Sequence, residues 1–164
     1  MSPPVRVRVR RKYKKLQRFS RLPLTDRLLT IEAAIFLAIA RTWLLVVPFR
    51  KIAETLGTSH SPSASNHALA PATEEQDQKA KRISEAVKRA AKNIPVHAVC
   101  IQQAIAAKMM LERREIHCIM HFGVARGTPD SGAALRAHAW LRTANVEITG
   151  FPLDDDLREI AYFV

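Results

Sequence analysis

From Leu24 to Gly57 the apolar positions recur with a helical period. Thr25 or Asp26 can cap the start, Pro48 interrupts the pattern and Gly57 ends it. Residues 33–47 are almost wholly apolar, which raises the question of a membrane span. A span needs about 20 apolar residues. This run is shorter, holds Arg41 and follows Glu32, and a charge at mid-bilayer costs about 2.5–3.5 kcal/mol. A buried or partner-facing helix is therefore expected. Residues 59–73, rich in Ser, Asn, His and Pro, read as an exposed linker. A helix resumes at Glu74 and runs to Asn93. Ile83, Val87, Ala90 and Ala91 form its apolar stripe, and Asn93-Ile94-Pro95 stops it.

A third helix is expected over Ala98–Arg114, with Ile101, Ala104, Ile105 and Met109 on one face. Arg113 and Arg114 suit its negative C-terminal end. The period then shortens. Ile116–Ala125 reads as a strand, Arg126–Leu135 as a loop, and Ala137–Arg142 with Val146–Thr149 as a hairpin about Ala144-Asn145. Gly150 and Pro152 end the hairpin, and Ile160–Val164 reads as a last edge strand. The expected class is α+β: a helical N-terminal portion beside a core of one helix and a small antiparallel sheet. The expected division is a basic tail (1–20), a helical region (21–58), a linker (59–73) and a core (74–164).

Composition and charge narrow this picture. The chain of 164 residues is 48% hydrophobic, enough for a packed domain. Its formal net charge of +11 is uneven: residues 1–18 hold eight Lys or Arg and no acid, and 11 less 8 leaves +3 for the rest. The basicity belongs to a tail suited to an acidic partner or an anionic membrane surface, and no nucleic-acid-binding fold is expected. Two cysteines, Cys100 and Cys118, make no disulfide framework. A reducing cytoplasm is the expected setting, and there a thiol can serve as a nucleophile.

Cys100 falls where the third helix begins, and His138 follows on a strand. A helix N-terminus and a nearby imidazolium both favour the thiolate, the reactive form of cysteine. Gln102 and Gln103 stand close by as amide donors for an oxyanion, as do the first-turn N–H groups of the helix. Trp140 shares the strand face of His138. Cys118 lies mid-strand among apolar neighbours, where packing is the expected role. His117, Cys118, His121 and His138 are metal-ligand types, but their spacing matches no familiar zinc site, and no metal or other cofactor is expected. There is no Gly-rich phosphate loop.

Taken in order, Cys100-Ile101-Gln102-Gln103-Ala104, Leu111-Glu112-Arg113-Arg114, His121-Phe122-Gly123-Val124-Ala125 and Ala137-His138-Ala139-Trp140-Leu141 resemble the leader peptidases of lasso peptide biosynthesis, which have a transglutaminase-like, papain-like core. The resemblance is good over residues 95–164 and looser over Leu22–Gly57. It implies a cysteine endopeptidase that cuts a ribosomally made precursor between leader and core peptide, with Cys100 as nucleophile and His138 as general base. Relatives often carry an acid about a dozen residues after the histidine. That place is Gly150 here, so Asp154 is the expected acid, with a backbone carbonyl or Asn145 as alternatives. Gln103 and Trp140 are the expected oxyanion and substrate contacts. No leader-recognition module is visible in the first 60 residues. The resemblance therefore implies a separate leader-recognition protein and a cyclase resembling asparagine synthetase as partners, and the apolar helix of residues 33–47 is the expected docking face for one or the other. A transglutaminase-like acyl transferase and a non-catalytic adaptor with structural Cys and His are the alternatives.

Overall fold

A computed structural model describes residues 19–61, 69–93, 98–127 and 134–164. The first 18 residues, His67 and His97 lie outside this set. Among the described residues four helices and five strands are delimited in chain order: α1 (Leu24–Val46), α2 (Phe49–Thr55), β1 (Ser59–His60), α3 (Glu74–Asn93), α4 (Cys100–Glu112), β2 (Ile119–Arg126), β3 (Leu135–Arg142), β4 (Glu147–Thr149) and β5 (Arg158–Phe163). The architecture is α+β, with the helices layered on one antiparallel sheet.

Pro48 splits the first helical stretch as its missing N–H and ring require. The α1 start differs in its cap: Pro23 precedes it without a side-chain cap. Thr25 and Asp26 instead receive the Arg82 guanidinium, which reaches Asp26 Oδ1 through Nε at 2.9 Å. That tie fastens α1 to α3. At the start of α3, Thr73 and Gln76 form a reciprocal capping box. The Thr73 N–H donates to Gln76 Oε1 at 2.9 Å, and the Gln76 N–H donates to Thr73 Oγ1 at 3.2 Å.

The helix α4 is the centre of the molecule. It packs on α1, α3, β3 and β4, so Ala104, Ile105, Ala106, Ala107, Met110 and Leu111 are all buried, wider than one stripe. The small alanines let neighbouring elements approach closely, and Ile83, Ile105, Leu111, Met120, Leu141 and Ile148 fill the space between helices and sheet. From α1 come Ala33, Phe36, Leu37 and Ala40. Leu37, within the segment expected to dock partners, thus points into the core.

The sheet order is β1-β5-β2-β3-β4, every pairing antiparallel. Two features depart from expectation. The C-terminal strand is internal: β5 lies between β1 and β2, because Ser59 and His60, within the expected linker, pair with Phe163 and Tyr162 and become the edge. Strands β2 and β3 pair over their full lengths, from Ile119 opposite Arg142 to Arg126 opposite Leu135. The Ser84 hydroxyl donates to the Ile148 carbonyl at 2.5 Å, and Asn145 Nδ2 donates to Asp77 Oδ2 at 2.9 Å. These contacts, the first buried and the second half-buried, hold the β3–β4 hairpin against α3.

Candidate active site

Cys100 is the first residue of α4, half-buried and packed beside the core. Its first turn is braced from below. Gln102 Oε1 accepts from the Val99 N–H at 3.3 Å, and Gln103 Nε2 donates to the Ala98 carbonyl at 2.8 Å. The two glutamines thus fix the backbone entering the helix. Gln103, expected as an oxyanion donor, spends one of its two amide hydrogens on Ala98.

His138 sits on β3. Alternation along this strand sends Ala139 and Leu141 into the core under the helices, and His138 and Trp140 to the other face. There a row of rings crosses four strands. His60 stacks on Tyr162 at 5.2 Å, Tyr162 approaches His121 at 6.1 Å, His121 stacks on Trp140 at 5.2 Å, and Trp140 on His138 at 6.1 Å. The Trp140 indole needs the bare backbone of Gly123, where a Cβ would stand 2.9 Å from the ring. His121 is held from its other side, with Nδ1 donating to Glu159 Oε1 at 2.7 Å. The residues that sequence reasoning left unused, His121 and Glu159, therefore buttress Trp140. No local signal in the sequence announces this, because it depends on the pairing of His121 with Trp140 across β2 and β3.

The orienting group on His138 is a peptide carbonyl. Nε2 lies 2.7 Å from Gly150 O. A carbonyl only accepts, so Nε2 carries the hydrogen, and in the neutral ring Nδ1 keeps its lone pair to take a proton. Gly150 adopts φ +85°, and a Cβ there would lie 2.6 Å from both the Ala139 carbonyl and Trp140 Cβ. Glycine alone brings its carbonyl to this place. Asp154, the expected acid, pairs with Arg136, and Asn145 pairs with Asp77. Among the described residues no hydrogen bond joins either of them to His138. The physical reason is local: the turn at Gly150 fills the position beside the imidazole with main chain, and Asp154 is drawn to a guanidinium.

Although α4 packs against β3, Cys100 lies on the core side of the sheet and His138 on the other face. Among the described residues no hydrogen bond joins Sγ to the imidazole. Cys118 is different in kind. It is buried, and burial pushes its thiol up to about 11, the nearby Lys108 ammonium offsetting only part of that rise. Among the described residues no group of three or more His, Cys, Asp or Glu is arranged to hold a metal ion.

Residues 43–161 match the family model for the transglutaminase-like superfamily. The chain belongs to that superfamily. The match takes in α2, β1, α3, α4, the strands β2 to β4 and the first part of β5, the cysteine-protease and acyltransferase-like fold of the superfamily. No curated protein and no solved structure matches the chain.

Proposed function

We propose that this transglutaminase-like protein is a cysteine endopeptidase that removes the leader from a lasso precursor peptide. The observation that carries the reading is the Nε2 hydrogen bond of His138 to Gly150, 2.7 Å long, which leaves Nδ1 as the basic nitrogen. The superfamily match supports the reaction class, and the ordered motifs around Cys100, His121 and His138 support the substrate.

In this mechanism Nδ1 takes the Cys100 proton and the thiolate attacks the scissile carbonyl. The oxyanion forms at the first turn of α4, where backbone N–H groups and the positive helix end favour it. The imidazolium then protonates the leaving amine, which is the N-terminus of the core peptide. Water, deprotonated by His138, attacks the thioester and releases the leader as a carboxylate, returning the thiol. Sγ and Nδ1 must meet for the first step; Cys100 packs beside the core and His138 lies on the other strand face, so the step requires one side chain to shift toward the other when substrate binds. Trp140 shapes the wall beside His138, and Gln103 keeps the first turn in place. A separate leader-recognition protein would deliver the precursor, and a cyclase resembling asparagine synthetase would close the ring on the freed amine. The setting proposed is the cytoplasm.

The test is incubation with a precursor peptide, with and without a leader-binding partner, followed by mass spectrometry. Two fragments that sum to the precursor plus one water are expected. A new isopeptide in place of hydrolysis would mark an acyl transferase, and an intact precursor with the complete partner set would mark an adaptor.

A further inference from the structure

The face of α1 turned away from the core carries Leu24, Leu28, Ile31, Ile35 and Leu45; beyond the Pro48 break, Phe49 of α2 is half-exposed with its ring edge on Phe122. With positions 38 and 42 the spacing runs alternately four and three, a seam along one side of the helix. These large side chains are 47–73% exposed. Single exposed leucines are ordinary, but five large apolar side chains along one helix face, interrupted only by Thr42, mark a surface that meets something.

Charge collects in the same stretch. Residues 1–55 hold thirteen of the 26 Lys and Arg but three of the 15 acids, which is +10 of the total +11. Each of those acids is held by a cation of the fold: Asp26 by Arg82, Glu32 by Arg113 and Arg114, Glu54 by Arg50. The stretch of sequence that carries the apolar seam is thus strongly basic, +10 in residues 1–55.

We infer that α1 docks on an anionic lipid surface, lying in the plane of the headgroups. Leucine and isoleucine side chains would enter the headgroup–acyl boundary while the surrounding Lys and Arg meet lipid phosphates. The other occupants fit less well. Two copies joined seam to seam would bring two segments of +10 together, against Coulomb repulsion. By length and composition α1 is able to cross a membrane, but Ala33, Phe36, Leu37 and Ala40 are part of the core, so spanning would open the fold. Peripheral docking uses the outer face and leaves the inner one packed. This inference does not rest on the peptidase reading.

Vesicle co-sedimentation of the full chain tests it, comparing phosphatidylglycerol–phosphatidylcholine vesicles with phosphatidylcholine alone. Binding to the anionic vesicles is expected, and it should weaken in high salt. The Leu28→Glu/Ile35→Glu pair, and the milder Leu28→Ser/Ile35→Ser pair, should each lower vesicle affinity roughly tenfold or more while thermal unfolding stays near wild type. No binding to anionic vesicles overturns the inference. So does binding that both pairs leave unchanged, which would assign it to the basic tail alone. Retention of the seam only by an acidic protein, or a wild-type dimer that either pair converts to monomer without vesicle binding, overturns it in favour of that partner.

Discussion

Two thiols eighteen residues apart occupy opposite surroundings, and the contrast separates a reactive position from a packed one. Cys100 opens a helix, half-exposed, where the first-turn N–H groups favour negative charge. Cys118 lies just before β2, buried, with its thiol pushed up to about 11. Even the buried Lys108 ammonium, whose Nζ is 3.0 Å from Glu112, does not reverse that desolvation. The lesson is that a cation near a cysteine activates it only where water or helix dipoles also support the thiolate.

The contrast breaks most sharply by deleting each sulfur. Cys100→Ala should reduce precursor cleavage by roughly 10³-fold or more, since it removes the proposed nucleophile, while Cys118→Ala leaves cleavage within a few-fold. Quantifying fragments by mass spectrometry checks both, and equal losses would erase the distinction. His138→Gln should cost about 10²–10⁴-fold in kcat/KM, the usual range for a general acid–base. A near-normal rate would remove the imidazole from the chemistry.

Gly150→Asp tests whether the orienting carbonyl can be replaced by the acid common in relatives. Left-handed backbone costs a non-glycine residue about 1–2 kcal/mol, and crowding adds about 1–3 kcal/mol. A loss of about 2–5 kcal/mol in urea unfolding is expected, with activity falling rather than rising. A stable and more active variant would show that the turn accommodates a side chain.

Smallest is a pH effect on the packed thiol. The folded-state value of about 11 stands above the ordinary value of 9.0, so the native state holds the Cys118 proton more tightly than the unfolded chain. The resulting stability is fully present below pH 9 and is lost as pH rises through 11, by about 2–3 kcal/mol. Wild type should lose that much more stability than Cys118→Ala between those limits, measured by urea unfolding. At neutral pH, iodoacetamide should label Cys100 and spare Cys118 until the chain unfolds. Parallel stability curves would show that the Cys118 thiol is not shielded.

Much of this architecture was legible in the residues. The stripe of Ile83, Val87 and Ala90, the start at Glu74 and the stop at Asn93 delimit α3 as read, because local periodicity acts over a few residues. Pro48 marked its break for the same reason. What stayed hidden was set by distant pairing. Ser59 and His60 look like linker until β5 supplies hydrogen-bond partners a hundred residues later, and the same pairing makes β5 internal. At the site, Cys100 and His138 were visible as chemistry-bearing types in suggestive places. The ring row was not, since stacking of His60 on Tyr162 and of His121 on Trp140 follows from strand order, which no local pattern encodes. Asp154 was favoured because a carboxylate is the familiar partner for imidazole. The contact found at Gly150 comes from main chain, which carries no side-chain signature.

That carbonyl has a genetic consequence. An alanine scan of every Asp and Glu would find no residue whose loss unhooks the imidazole, because the acceptor is spelled into the peptide linkage itself. Selection acting on this orientation would be recorded as intolerance at a single glycine, a position such scans commonly pass over.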